Sequence, residues 1–120
     1  MELVCSYSRK QAIKDGVLVD VSEIAREAGI SFPTAMTSTI WIGYVEPPRE
    51  LRGMQDKEGR LWDLLSCFRA KASKTKGNQL TFCVSFQMGS SRFEDVVLKA
   101  VCGPGDCMKP VITIMLPEED

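Results

Sequence analysis

The chain has 120 residues and a mass of 13.3 kDa, enough for one modest core, and residues 1–120 read as a single domain. Its formal charge of −1, with 44% hydrophobic and 26% charged residues, sets up no global field toward nucleic acid or membrane. Histidine is absent, which removes the commonest general base and the commonest metal ligand together. The expectation is a protein that is not an enzyme and holds neither metal nor cofactor.

No apolar run approaches the ~20 residues of a membrane span. The opening MELVCSYSRK lacks a basic segment followed by an apolar one, so a cytoplasmic location without membrane contact is expected.

In chain order, Ser8 caps a short helix, RKQAIKD, that Gly16 ends. Val17, Val19 and Val21 alternate with Leu18 and Asp20 and predict a short strand over 17–21. Ser22 can cap a second helix, SEIAREA, with Glu23 in its first turn and Gly29 as the stop. The run SFPTAMTSTIWIGYVEPP is rich in β-branched residues, but it lacks alternation. Met36, Ile40 and Tyr44 recur at helical spacing, so a helix between Pro33 and Pro47–Pro48 is expected. Asp56 then caps a longer helix to about Ser73, with Leu61, Leu64, Leu65, Phe68 and Ala72 as its apolar stripe.

From Leu80 the period drops to two, with Leu80, Phe82, Val84 and Phe86 against Thr81, Cys83, Ser85 and Gln87. Further strands follow over about 93–102 and 111–116. The fold class is therefore α+β: about four N-terminal helices packed on a C-terminal three-stranded antiparallel β-meander, with the extra short strand at 17–21.

Five cysteines, Cys5, Cys67, Cys83, Cys102 and Cys107, include only one close pair, in Cys102-Gly-Pro-Gly-Asp-Cys107. Its four-residue spacing and the scatter of the others do not make a zinc site. The glycines, proline and aspartate are turn formers, so this stretch reads as the loop of the last hairpin, displayed near the acidic tail. Tyr7, Trp41, Tyr44 and Trp62 read as core or rim residues, and one of them could anchor a partner.

Ile24–Ile40, IAREAGISFPTAMTSTI, resembles the helix-turn-helix of lac-repressor-type regulators. That resemblance implies a nucleic-acid contact through Thr34, Thr37 and Ser38. The basic cluster Arg69, Lys71, Lys74 and Lys76 would be a second phosphate-binding group. The recognition helix would offer no Arg, Lys, Asn or Gln to base edges, which favours two packed helices over a DNA reader.

A broader resemblance runs through YSRKQAIKDGVLVDVSEIAREAGISFP, GRLWDLL, LKAVCGPGD and PVITIMLPEED. These segments resemble a family of small proteins encoded on bacterial plasmids, integrative elements and phages. The resemblance implies an accessory protein of a mobile element in a bacterial host cell, a group in which anti-restriction and anti-CRISPR inhibitors are frequent. It carries no catalytic residues over.

The expected function is a protein that binds and inhibits a bacterial defence component, an anti-CRISPR protein first, by occlusion. Glu46, Glu50, Glu118, Glu119 and Asp120 are the candidate contacts to a protein partner. The alternative is a helix-turn-helix transcriptional regulator.

Overall fold

The computed structural model describes residues 8–119, so Cys5, Tyr7 and Asp120 lie outside the described residues. The Ser8 hydroxyl accepts the Gln11 N–H at 3.0 Å and opens helix α1 (Arg9–Lys14), which Gly16 leaves at φ +82°. Strand β1 (Leu18–Asp20) follows, then helix α2 (Ser22–Glu27). Ser22 is the first residue of α2 rather than its cap. The cap position is held by Val21, and the Asp20 carboxylate before it accepts from the Ser22 N–H at 3.0 Å and the Ser22 hydroxyl at 2.6 Å.

The segment expected as one helix over 33–46 divides in two. Thr34–Thr37 form strand β2, and only from Ser38 does the chain turn helical. Helix α3 (Ser38–Ile40) runs into a π-turn over Trp41–Val45, closed by the Glu46 N–H on Trp41 O at 2.9 Å. A 3₁₀ turn (Arg49–Leu51) leads to helix α4 (Lys57–Ala72), where the Asp56 side chain caps the Gly59 N–H at 2.8 Å. Strands β3 (Gln79–Gln87), β4 (Phe93–Pro104) and β5 (Pro110–Met115) complete the chain.

The strands form one sheet in the order β1-β2-β5-β4-β3. β2 pairs parallel with β5, Met36 opposite Ile114, and antiparallel with β1, Val19 opposite Met36; the β5–β4 and β4–β3 pairs are antiparallel. The fold is α+β, but its five-stranded mixed sheet overturns the expected three-stranded antiparallel meander. The cause is β2, which inserts between β1 and β5 and joins the N-terminal half of the chain to the sheet.

One sheet face carries the core. Met36, Phe82, Val84, Phe86, Val96, Leu98, Ile112 and Ile114 meet Leu61, Leu64, Leu65 and Phe68 of α4. Each fully buried Leu or Ile here contributes roughly 1.5–3 kcal/mol over its exposed state. On the opposite face α1 is tied down by Arg9, whose guanidinium donates to Thr113 Oγ1 at 2.6 Å and Ile112 O at 2.7 Å. The β3–β4 part of that face stays open: Thr81, Cys83, Ser85, Asp95, Phe93 and Val97 are exposed.

Of the CGPGDC stretch expected as the loop of the last hairpin, Cys102, Gly103 and Pro104 still pair with β5 as the end of β4, and only the residues from Gly105 form the loop over 105–109, closed by the Gly105 N–H on Lys109 O at 2.8 Å. It sits at the start of β5, whereas the C-terminal tail leaves from the other end, about 20 Å away along the strand. Its expected nearness to the tail is therefore wrong. Asp106 instead reaches α1 and accepts the Arg9 and Lys10 N–H groups, each at 2.9 Å. Two backbone N–H donors hold its carboxyl below the usual carboxylate range.

Candidate functional site

A cleft of about 640 Å³ lies between the 52–56 loop, the first turns of α4 and the end of β3. Asp56 fixes the start of α4, so Gly59, Arg60, Trp62 and Asp63 arrive together at one mouth. Ser85, Phe86, Gln87 and Phe93 supply the opposite wall from the β3–β4 hairpin. Three large apolar side chains line this site while exposed: Met54 at 74%, Phe93 at 63% and Trp62 at 43%.

Arg60 is the fixed charge of the cleft, only 5% exposed. Its Nε donates to Tyr44 O at 2.8 Å, and Nη1 to Gln55 Oε1 at 2.7 Å and Gln87 O at 2.8 Å. The guanidinium lies 5.3 Å above the Phe86 ring, which itself stacks on Tyr44 at 5.3 Å. Burial pushes the Arg60 pKa down, and Asp63 partly offsets this. One side chain thus locks the π-turn, the 52–56 loop and the end of β3 together. The floor is preorganised while the aromatic rim faces solvent.

Carboxylates collect around this end of the molecule. Glu46 lines an adjoining groove that shares Arg52, Gln55 and Asp56 with the cleft. Glu50 is exposed, with its carboxylate beside Gly89 in the β3–β4 turn. Glu94 accepts from the Tyr44 hydroxyl at 3.2 Å, and the Tyr44 pKa is raised by burial, then by Glu94 and Glu118. Arg52 and Lys57 stand among these acids, so the surface is mixed in charge.

Of the acidic candidates, the structure brings Glu46, Glu50 and Glu118 to this end. Glu119 is committed inside the fold: its carboxylate accepts from Thr37 Oγ1 at 2.9 Å and the Leu116 N–H at 2.8 Å. Asp120 lies outside the described residues. Arg52, Met54, Arg60, Asp63 and Phe93 were missed at the sequence level, and only Trp62 was singled out among the residues of the cleft.

The nucleic-acid alternative loses its reading element. Ile24–Ile40 is a helix, a glycine turn, strand β2 and the opening turn of α3, so the stretch from Thr34 that should open a recognition helix is a strand. Thr34 is fully buried with its hydroxyl on Phe32 O, Thr37 is taken by Glu119, and half-buried Ser38 gives its N–H to Val17 O. Arg69, Lys71, Lys74 and Lys76 are exposed around the C-terminal end of α4, which begins about 9 Å of helix beyond Asp63 of the cleft. The Arg69 side chain folds over Gly29, its Nε 2.7 Å from where a Cβ would stand.

The cysteines carry no assembled chemistry among the described residues. Cys67, Cys83, Cys102 and Cys107 are free thiols, and no group of three or more His, Cys, Asp or Glu could hold a metal ion. Burial pushes the Cys67 thiol up, with Asp63 and Cys83 adding to it, the reverse of nucleophile activation. Among the described residues no helix is long and apolar enough to cross a membrane.

A family model matches residues 1–120, the whole chain, and its description is a family of unknown function (DUF6573). The chain belongs to that family. Neither a curated protein nor a solved structure matches it. The DUF6573 description names no activity, source or partner, so the reading of this member rests on its cleft.

Proposed function

We propose that this DUF6573 member is a non-catalytic binding protein that docks its 52–63 cleft onto a protein partner and occludes it. The carrying observation is the set of exposed anchors, Met54, Trp62 and Phe93, around a floor locked by Arg60. Exposed aromatics on a rigid base supply most of the energy at protein interfaces. Asp63 beside Trp62 suits a basic side chain of the partner, held by charge and by the indole face. Glu46, Glu50 and Glu118 would extend that attraction outward and steer approach.

The resemblance to proteins of mobile elements supplies the partner class: a component of bacterial defence, CRISPR–Cas machinery first. The test is phage plating on bacteria that express the protein, with and without CRISPR immunity. Plaque recovery is expected only in the immune host. Equal plating with and without the protein in that host overturns the defence reading.

A further inference from the structure

Strand β3 is an edge strand of nine residues with no charge and no proline. Edge strands are ordinarily blunted by short length, charge or proline. The opposite edge, β1, follows that rule with three residues and Asp20. β3 does not.

The direction of its free hydrogen-bonding groups can be read from the ladder. Asn78 O accepts from the Cys102 N–H at 2.8 Å, and the Met88 N–H donates to Arg92 O at 2.8 Å. Even-numbered residues therefore face β4, and the backbone groups of Gln79, Thr81, Cys83, Ser85 and Gln87 face outward. The Arg60 bond to Gln87 O agrees with this alternation and, among the described residues, covers only the last of those groups.

The sequence of β3, QLTFCVSFQ, is a chemical palindrome about Cys83. Gln79 mirrors Gln87, Leu80 mirrors Phe86, Thr81 mirrors Ser85 and Phe82 mirrors Val84. Two copies laid antiparallel with Cys83 on the two-fold axis would pair each residue with its like. The outward groups of Thr81, Cys83 and Ser85 would form about six backbone hydrogen bonds in that register. Exposed Val97, opposite Cys83 in β4, would extend a row Val97–Cys83 across the seam to the same pair of the second copy.

Charge also matches across the axis. Asp95 pairs with Ser85, and Asp63 lines the cleft beside it, so two acids stand at the 85–87 end of β3, alongside Arg52 and the buried Arg60 of that cleft. Exposed Lys74 and Lys76 precede the 79 end. An antiparallel partner brings the lysine end of one copy to the acidic end of the other.

We infer that this protein forms a two-fold dimer through β3, joining two five-stranded sheets into one, with Cys83 of each copy at the axis. The partner is a second copy of this chain. The inference stands apart from the docking role above, because it concerns the protein alone.

Light scattering of the full chain should give twice the 13.3 kDa monomer mass at micromolar concentration. Cys83→Lys, which sets two like charges face to face on an exposed site, should give the monomer mass with an unchanged far-UV spectrum. Diamide should link the parent rapidly into a disulfide dimer on a non-reducing gel, and Cys83→Ser should abolish that band. Facing residues in a hydrogen-bonded antiparallel pair lie about 5.5 Å apart at Cα, within disulfide range. In the Cys83→Ser background, T81C/S85C should cross-link and T81C alone should not. A monomeric parent overturns the inference. So does a dimer that survives Cys83→Lys, or equal cross-linking by T81C alone, because each places the contact elsewhere.

Discussion

Arg60 places five N–H donors in the core, and none of its hydrogen bonds goes to a carboxylate. A buried guanidinium is tolerated when its donors find acceptors, and here two main-chain carbonyls, a glutamine oxygen and the Met88 sulfur accept from it. Its removal would strand Tyr44 O and Gln87 O, each a loss of about 1–3 kcal/mol. Arg60→Ala should therefore lower stability by about 3 kcal/mol, read as a fall in the urea midpoint. Arg60→Lys should recover only part of this, because one ammonium cannot reach three acceptors in a fixed fork. If both variants unfold with the parent, Arg60 does not lock the cleft. The residue was not legible as buried, since arginine near a helix start ordinarily reads as solvent-facing. Its one signal is Leu64, the apolar residue one turn further along α4 on the same flank.

The elements repeat this balance between local signal and tertiary context. α1, α4 and the three long strands follow from caps and periodicity, because each has one face in the core and one in water. β2 does not, since Thr34, Ala35 and Met36 are buried on both sides of the sheet and the two-residue alternation vanishes. Met36, Ile40 and Tyr44 then imitate a helical stripe, although only the residues from Ser38 onward are helical. The loop 105–109 shows the converse: its turn was legible, but its bond to a helix about a hundred residues earlier was not. Asp106 tests that bond by pH. Its carboxyl is held below its unfolded value, so its contribution is complete above the unfolded pKa and lost as pH falls through the folded one. Asp106→Asn should lower the urea midpoint at neutral pH, and the gap from the parent should close in acid. A gap independent of pH would mean that the charge of Asp106 does not hold α1.

At the scale of the whole molecule, the shape separates two tasks. The protein extends over 53 × 33 × 27 Å. The aromatic cleft and most of the candidate acids lie toward one end of α4, and the lysine cluster lies at the other. Core residues hold the elements together, whereas Trp62 and Phe93 project from them with 43% and 63% of their surface exposed. Residues so exposed contribute little to folding, so Trp62→Ala and Phe93→Ala should each stay within about 0.5 kcal/mol of the parent in urea unfolding. A buried anchor at an interface is worth about 2 kcal/mol or more, which is roughly a 30-fold loss of affinity for each variant. Plaque recovery in the immune host should therefore fall sharply for both variants while their unfolding midpoints do not move. Full recovery by both, at matched expression, would take the anchoring role away from the cleft. Loss of recovery together with loss of stability would instead place these side chains in the fold.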